Sequence, residues 1–154
     1  MVYLARLPSC LLSLLLVLGG CSGKPVTVSE RERDQEFQQM MSGVVLVGNS
    51  TLLNRDELSG EERYTIDKVS KLAGDTWLFQ TRLKYGSQEI PVPIPLTVRW
   101  AGDTPVITLT DLSIPGVGTY TARVLLYQGQ YAGTWSSKSH GGQLFGKIVR
   151  QSQK

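Results

Sequence analysis

Hydrophobic and polar positions alternate most cleanly over residues 88–100. Ile90, Val92, Ile94, Leu96, Val98 and Trp100 share one phase, and Pro91, Pro93, Pro95, Thr97 and Arg99 share the other. A period of two over that length predicts a strand half-buried against a core. The prolines carry a second inference. In an antiparallel strand, every second residue aims its N–H and C=O at the same neighbour. Pro91, Pro93 and Pro95 therefore strip donors from one side only, while the other side keeps its full ladder. That side belongs at a sheet edge, or at a gap in a barrel wall, over residues 90–95. The strand should pair normally on one flank, most simply with 76–85, and on both flanks only after Leu96. The prolines also hinder pairing with another molecule along that edge.

The remainder of the chain carries weaker versions of the same pattern. Short runs rich in Val, Ile, Leu, Thr and aromatics predict strands over about 43–53, 62–71, 76–85, 88–100, 105–112, 118–127, 130–137 and 143–150. Gly-containing turns punctuate them, among them Ala73-Gly74-Asp75, Ala101-Gly102-Asp103, Gln128-Gly129-Gln130 and Ser139-His140-Gly141-Gly142. Short turns favour antiparallel neighbours, and no long helical pattern intervenes to build a parallel crossover. Ahead of the strands, Ser29 and Glu32 have the spacing of a capping box, and Phe37, Met40, Met41 and Val44 form one helical stripe. A short helix within 29–42 should therefore dock its apolar stripe over one end of the domain. The predicted fold is all-β, an antiparallel eight-stranded up-and-down barrel over 43–150 with a short N-terminal helix and a tail at 151–154. A two-sheet β-sandwich is the alternative. Gly133 and Gly146 fall inside strands, where a bend or a bulky neighbour such as Trp135 is expected.

The first 28 residues have a different character. Arg6 stands before an apolar run, Leu11-Leu12-Ser13-Leu14-Leu15-Leu16-Val17-Leu18, which ends in Gly19-Gly20-Cys21. A basic amino end, a short apolar core and small residues before a cut are the parts of a secretory signal. The run is well short of the roughly 20 apolar residues that span a bilayer. Leu18-Gly19-Gly20-Cys21 resembles the lipobox of bacterial lipoproteins. The resemblance implies that 1–20 is a signal peptide cut between Gly20 and Cys21, and that the Cys21 thiol carries diacylglycerol, usually joined by a third acyl chain such as palmitate. An unlipidated secreted protein cut at the same place is the plainer alternative. Residues 21–28, polar and without periodicity, would be a tether. Two or more acyl chains hold a protein firmly to a membrane, at about 0.8 kcal/mol per buried methylene. Ser22 after the cysteine, where Asp would retain the protein at the inner membrane in the enterobacterial scheme, implies the outer membrane facing the periplasm. The cysteines are consistent with this. The chain has two, Cys10 within the leader and Cys21, which leaves the mature domain without a disulfide.

Charge and chemistry narrow the functional classes. The formal net charge of +3 gives no reason to expect nucleic acid as a partner. Its distribution is uneven, because Asp111 is the last acid and Arg123, Lys138, Lys147, Arg150 and Lys154 follow without counter-charge. A solvated basic surface is one reading, and a face resting on anionic headgroups is the other. His140, the only histidine, lies in a Ser-Lys-Ser-His-Gly-Gly turn; no Gly-x-Ser-x-Gly elbow accompanies it, and an exposed turn histidine is expected. One histidine and no free thiol give no ligand set for a metal, and no cofactor is expected. Asp56-Glu57 and Glu61-Glu62 are acid pairs, but adjacent residues on a polar loop are expected to be solvated turn charges, not a glycosidase pair. The aromatic residues Trp77, Phe79, Trp100, Tyr120 and Trp135, with Tyr85, Tyr127 and Tyr131, are candidates to line or plug the barrel. Small lipocalin-like or calycin barrels are faintly similar, through Gly133-Thr134-Trp135 alone. The function expected is that of a non-enzymatic envelope lipoprotein binding a small apolar ligand or an envelope protein. A structural or interaction module with a filled core is the alternative.

Overall fold

A computed structural model describes residues 29–152 except 56, 86–87 and 115–117. The lipobox-like segment and the expected tether lie outside the described residues. Helix α1 spans Glu30–Met41, and strands β1 (Val44–Ser50), β2 (Glu62–Ala73), β3 (Thr76–Tyr85), β4 (Gln88–Ala101), β5 (Thr104–Ile114), β6 (Gly118–Tyr127), β7 (Gln130–Ser136) and β8 (Gly141–Arg150) follow. Each strand pairs antiparallel with the next, and β8 returns to β1, closing an up-and-down barrel. The sandwich alternative is thereby excluded.

The helix is fixed at both ends by its sequence. Ser29 Oγ accepts the Glu32 N–H, and the Glu32 carboxylate accepts the Ser29 N–H at 2.9 Å, which satisfies two amides that the first turn leaves free. The Ser29 N–H, and after it the Ser29 hydroxyl at 2.9 Å, donate to the Glu32 carboxylate and hold it below its usual pKa. At the other end Ser42 caps the last turn, and Gly43, at φ 68°, reverses the chain into β1. Gly43 N–H then donates to Asp67 O at 3.0 Å, and Arg150 reaches Gln39 O and Ser42 O, so β2 and β8 both grip the helix end. Val44, placed in the helical stripe by periodicity, is instead the first residue of β1.

Most of the apolar stripe turns inward. Phe37 and Met41 are fully buried against Val44, Val69, Trp77, Phe79, Val98 and Leu126. Phe37 meets Trp77 edge-on at 4.8 Å between centroids, Trp100 at 5.8 Å and Phe79 at 6.3 Å. Around this plug, Lys71 pairs with Glu30 and Asp34, and its ammonium lies 5.6 Å from the Trp77 ring. The Arg33 guanidinium covers Trp100 at 4.4 Å. Asp67 on β2 binds Arg82 on β3 through two nitrogens and is also reached by Gln151; mainly because of Arg82 its carboxyl is held below the usual range.

Strand β4 follows the proline argument closely. It pairs with β3 along the whole length of β3, Gln88 to Thr97 against Tyr85 to Thr76. Its pairing with β5 covers Thr97–Ala101 against Thr108–Thr104 and goes no further towards the prolines. Thr108 Oγ donates to Thr97 O at 3.2 Å at the last closed rung. From there the two strands part. Strand β5 carries a register shift between Leu109 and Leu112, with Asp111 at φ 49° and its N–H bonded to Thr121 Oγ at 3.0 Å, so it leans towards β6. The barrel is thus closed at the helix end and split at the other.

Two expectations need correction. The last turn runs from Ser137 to His140, closed by Ser137 N–H to His140 O at 2.7 Å, and Gly141 and Gly142 are already in β8. Gly142 is required there, since a Cβ would lie 1.8 Å from Thr51 O. The bulky neighbour over Gly146 is Tyr131, not Trp135. A Cβ on Gly146 would meet the Tyr131 ring at 2.7 Å, and one on Gly48 its hydroxyl at 2.6 Å. Gly133 is crowded by the Arg123 backbone, a consequence of strand coiling.

Candidate binding site at the split end of the barrel

The alternation that buries Val98 carries inward-facing apolar side chains past the point where the wall opens. Leu96, Ile94 and Val92 on β4 are only half-buried, and Ile90, nearest the end, is 45% exposed. Across the split, Leu109, Leu112 and Ile114 of β5 are half-buried as well. Their neighbours on the wall, Tyr120, Trp135 and Leu144, share that state. The β1–β2 loop adds Leu53 and Leu58 at the same pole, exposed at 84% and 58%. Half-buried apolar side chains therefore stand on both sides of the opening, and Ile90, Leu53 and Leu58 leave apolar surface exposed at this pole.

The edge of the split is chemically asymmetric. Thr97, two residues beyond Pro95, faces β5, so Pro91, Pro93 and Pro95 face it too. Their carbonyls point into the opening with no N–H between them. Val92 points the other way, its carbonyl accepting from Thr81 Oγ at 2.9 Å. The opening thus offers acceptors along β4 and apolar side chains behind them.

A polar group lies within this apolar pole. Ser50, 8% exposed at the end of β1, donates from Oγ to Glu62 Oε1 at 2.6 Å, and the Tyr64 hydroxyl donates to Glu62 Oε2. The Ser50 N–H is taken by Ser59 Oγ at 2.7 Å, which ties the β1–β2 loop to the same cluster. Burial, then the Glu62 carboxylate, pushes the Tyr64 phenol well above its ordinary pKa; Tyr131 is raised by the same two causes, burial first. Glu62 is therefore not the solvated turn charge expected from its neighbour. Glu61 is exposed and pairs with Arg63, whereas Glu62 faces the barrel. Its phase with Ile66 was the available signal: 62, 64 and 66 alternate to one side.

The aromatic candidates separate into two groups. Trp77 and Phe79 are fully buried at the helix end, with Trp100 half-buried beside Phe37. Tyr120 and Trp135 lie together at the split end, centroids 6.3 Å apart, and His140 stacks edge-on to Trp135 at 5.4 Å. Trp135 Nε1 is shielded from solvent without a hydrogen-bond acceptor. Tyr131 is inward and buried, but Tyr127 is not a lining residue; its phase is opposite to that of Leu126, and it is 54% exposed on the outer wall. The Tyr85 side chain lies outside the described residues.

The side chains of His140 and Asp111 are bonded to other partners and not to each other. His140 is exposed, its Nδ1 2.6 Å from the adjacent Ser139 Oγ, while Asp111 bonds to Thr121 instead of orienting the imidazole. Among the described residues no group of three or more His, Cys, Asp or Glu side chains is placed to hold a metal ion. No described helix is long and apolar enough to cross a membrane. No family model, curated protein or solved structure matches the chain.

Proposed function

We propose that this protein is a non-enzymatic envelope lipoprotein whose split barrel end binds an amphiphile, with the apolar body of the ligand in the opening and its polar group at the Glu62 cluster. The reading rests above all on the parting of β4 from β5 after Thr97, which leaves inward apolar side chains half-buried on both sides of the opening. Glu62 supplies a carboxylate acceptor and Trp135 Nε1 an unused donor, so a ligand with both donor and acceptor groups at one end suits the site. The anchor follows from the resemblance of Leu18-Gly19-Gly20-Cys21 to a lipobox. A diacylated Cys21 would hold the domain at a bacterial membrane, the outer one by the Ser22 criterion. The barrel interior at the helix end is filled by Phe37 and Met41, and for that end the alternative of a solid interaction module is the better description.

Binding is tested with cis-parinaric acid, whose fluorescence rises in an apolar site. The full-length protein should bind it at micromolar concentration, and Ile94→Arg should weaken binding at least tenfold while leaving thermal unfolding nearly unchanged. Equal binding by Ile94→Arg would move the site elsewhere. The anchor is tested separately: acyl labelling and globomycin-sensitive processing should both disappear in Cys21→Ala, and an unchanged membrane fraction would refute lipidation.

A further inference from the structure

The outer wall near the helix end has a feature that the split end does not use. Leu125, Tyr127, Phe145 and Val149 are exposed, all on β6 and β8 and all facing outward. The register makes them one surface. Leu125 lies opposite Ala132 and Ala132 opposite Phe145, while Tyr127, Gln130 and Lys147 form the next row. The small Ala132 side chain floors a shallow groove of about 640 Å3 between the larger ones. Cations border the apolar rows on two sides. Arg123 stands in the row before Leu125, opposite Thr134, and Lys147 closes the row after it. Strands β6, β7 and β8 contain no acid at all. Among the groove's lining residues Glu61 is acidic, and it is paired with Arg63 at 3.1 Å. Lys147 makes no ion pair among the described residues.

We infer that this face rests on an anionic lipid surface, with Tyr127 and Phe145 at headgroup level and Lys147 on phosphates, while Arg123, whose guanidinium is held by Leu109 O, Ala122 O and Thr110 Oγ, adds positive charge at the border. Apolar and aromatic side chains flanked by unopposed cations are the pattern that binds an anionic interface, and a protein partner would have to be acidic over the whole face to match it. Reach is consistent with this. Seven residues separate Cys21 from Ser29, so an extended tether spans at most about 25 Å. Helix α1 closes the pole at which β6 and β8 end, so the chain comes from the expected anchor to the same pole. The groove would then lie flat against the bilayer and the split end would remain in solution. This inference rests on the lipid anchor proposed above.

The experiment uses the mature lipidated protein, which has lost Cys10 with the leader and has Cys21 acylated. A bimane label is placed at Gln130→Cys on the face or at Arg99→Cys on the far wall, in phosphatidylethanolamine vesicles with or without phosphatidylglycerol. With a headgroup spin label as quencher, bimane at position 130 should be quenched several-fold more than at 99 when phosphatidylglycerol is present. The charge reversal Lys147→Glu should remove most of the contrast without altering the thermal melt. Equal quenching at the two positions, the same contrast without phosphatidylglycerol, or protection of position 130 by a second copy detected as cross-linked dimer would overturn the inference. Failure of the anchor itself is read beforehand, as loss of flotation with the vesicles.

Discussion

The two poles of the barrel use the same alternation to different ends. Towards the helix, inward residues of all the strands converge on Phe37 and Met41, which remove the last apolar area from water and leave Trp77, Phe79, Val69 and Val98 at 1% exposure or less. Towards the split, the same β4 phase continues through Leu96, Ile94, Val92 and Ile90, yet the first three are only half-buried and Ile90 is exposed, because β5 does not pair with β4 there. One pole obtains its stability from packing. The other keeps apolar surface within reach of solvent, and its donor-free edge keeps a neighbouring strand from covering it. An unfilled apolar opening beside the half-buried Glu62 carboxylate lowers stability, and this is what supports the proposal that it binds a ligand.

The contrast is sharpest in energetic terms. Phe37→Ala deletes a ring that touches three other aromatics, and such a truncation typically costs about 3–5 kcal/mol. Val92→Ala removes fewer atoms from a half-buried position and should cost about 1 kcal/mol or less. Urea unfolding of the two variants measures the difference directly. Similar costs would mean that the split end is packed as tightly as the plugged one, and the binding reading would lose its basis.

A second way to break the comparison is to give β4 its donors back. Pro91→Thr, Pro93→Thr and Pro95→Thr together restore three N–H groups on the edge that faces the opening, in side chains suited to a strand. That edge would then accept a partner strand. The expected result is association beyond that of the wild type in sedimentation velocity, or closure onto β5 with slowed amide exchange at positions 91, 93 and 95. Amides that exchange freely in an unassociated triple variant would show that the bulge in β5, and not the prolines, holds the wall open.

How far each pole could be read from the chain follows from the same physics. The split was legible because a proline removes a donor whatever surrounds it, and the spacing of Pro91, Pro93 and Pro95 fixes which side loses it. The capping box at Ser29 was legible for a similar reason, being a local bond. The role of Tyr131 over Gly48 and Gly146 was not, since it depends on the register of β7, β8 and β1, which join residues far apart in sequence. Glu62 was concealed by its neighbour: beside Glu61 it resembles a surface pair, and only the β2 phase separates them. Tyr127 was misplaced for want of the same phase argument applied to Leu126. Long-range register, not local chemistry, sets the boundary.

The smallest effect bears on the polar half of the proposed site. Tyr64 is raised above its reference value of 10.0 first by burial and then by the Glu62 carboxylate, which both accepts its hydrogen and repels the phenolate. Glu62→Gln removes the charge and keeps a side chain of the same length, so the second cause goes and the first stays. Tyr64 ionisation should then move back towards 10.0 without reaching it, seen as an earlier absorbance change at 295 nm in a rapid pH jump that precedes alkaline unfolding. Tyr64→Phe in the Glu62→Gln background should remove that change and identify the phenol. If Glu62→Gln leaves the titration where it was, burial alone controls Tyr64, and the carboxylate is not available to the opening as a charge. If the whole shift disappears, the carboxylate and not burial sets the Tyr64 titration, and a ligand head bound there would meet water before it met Glu62.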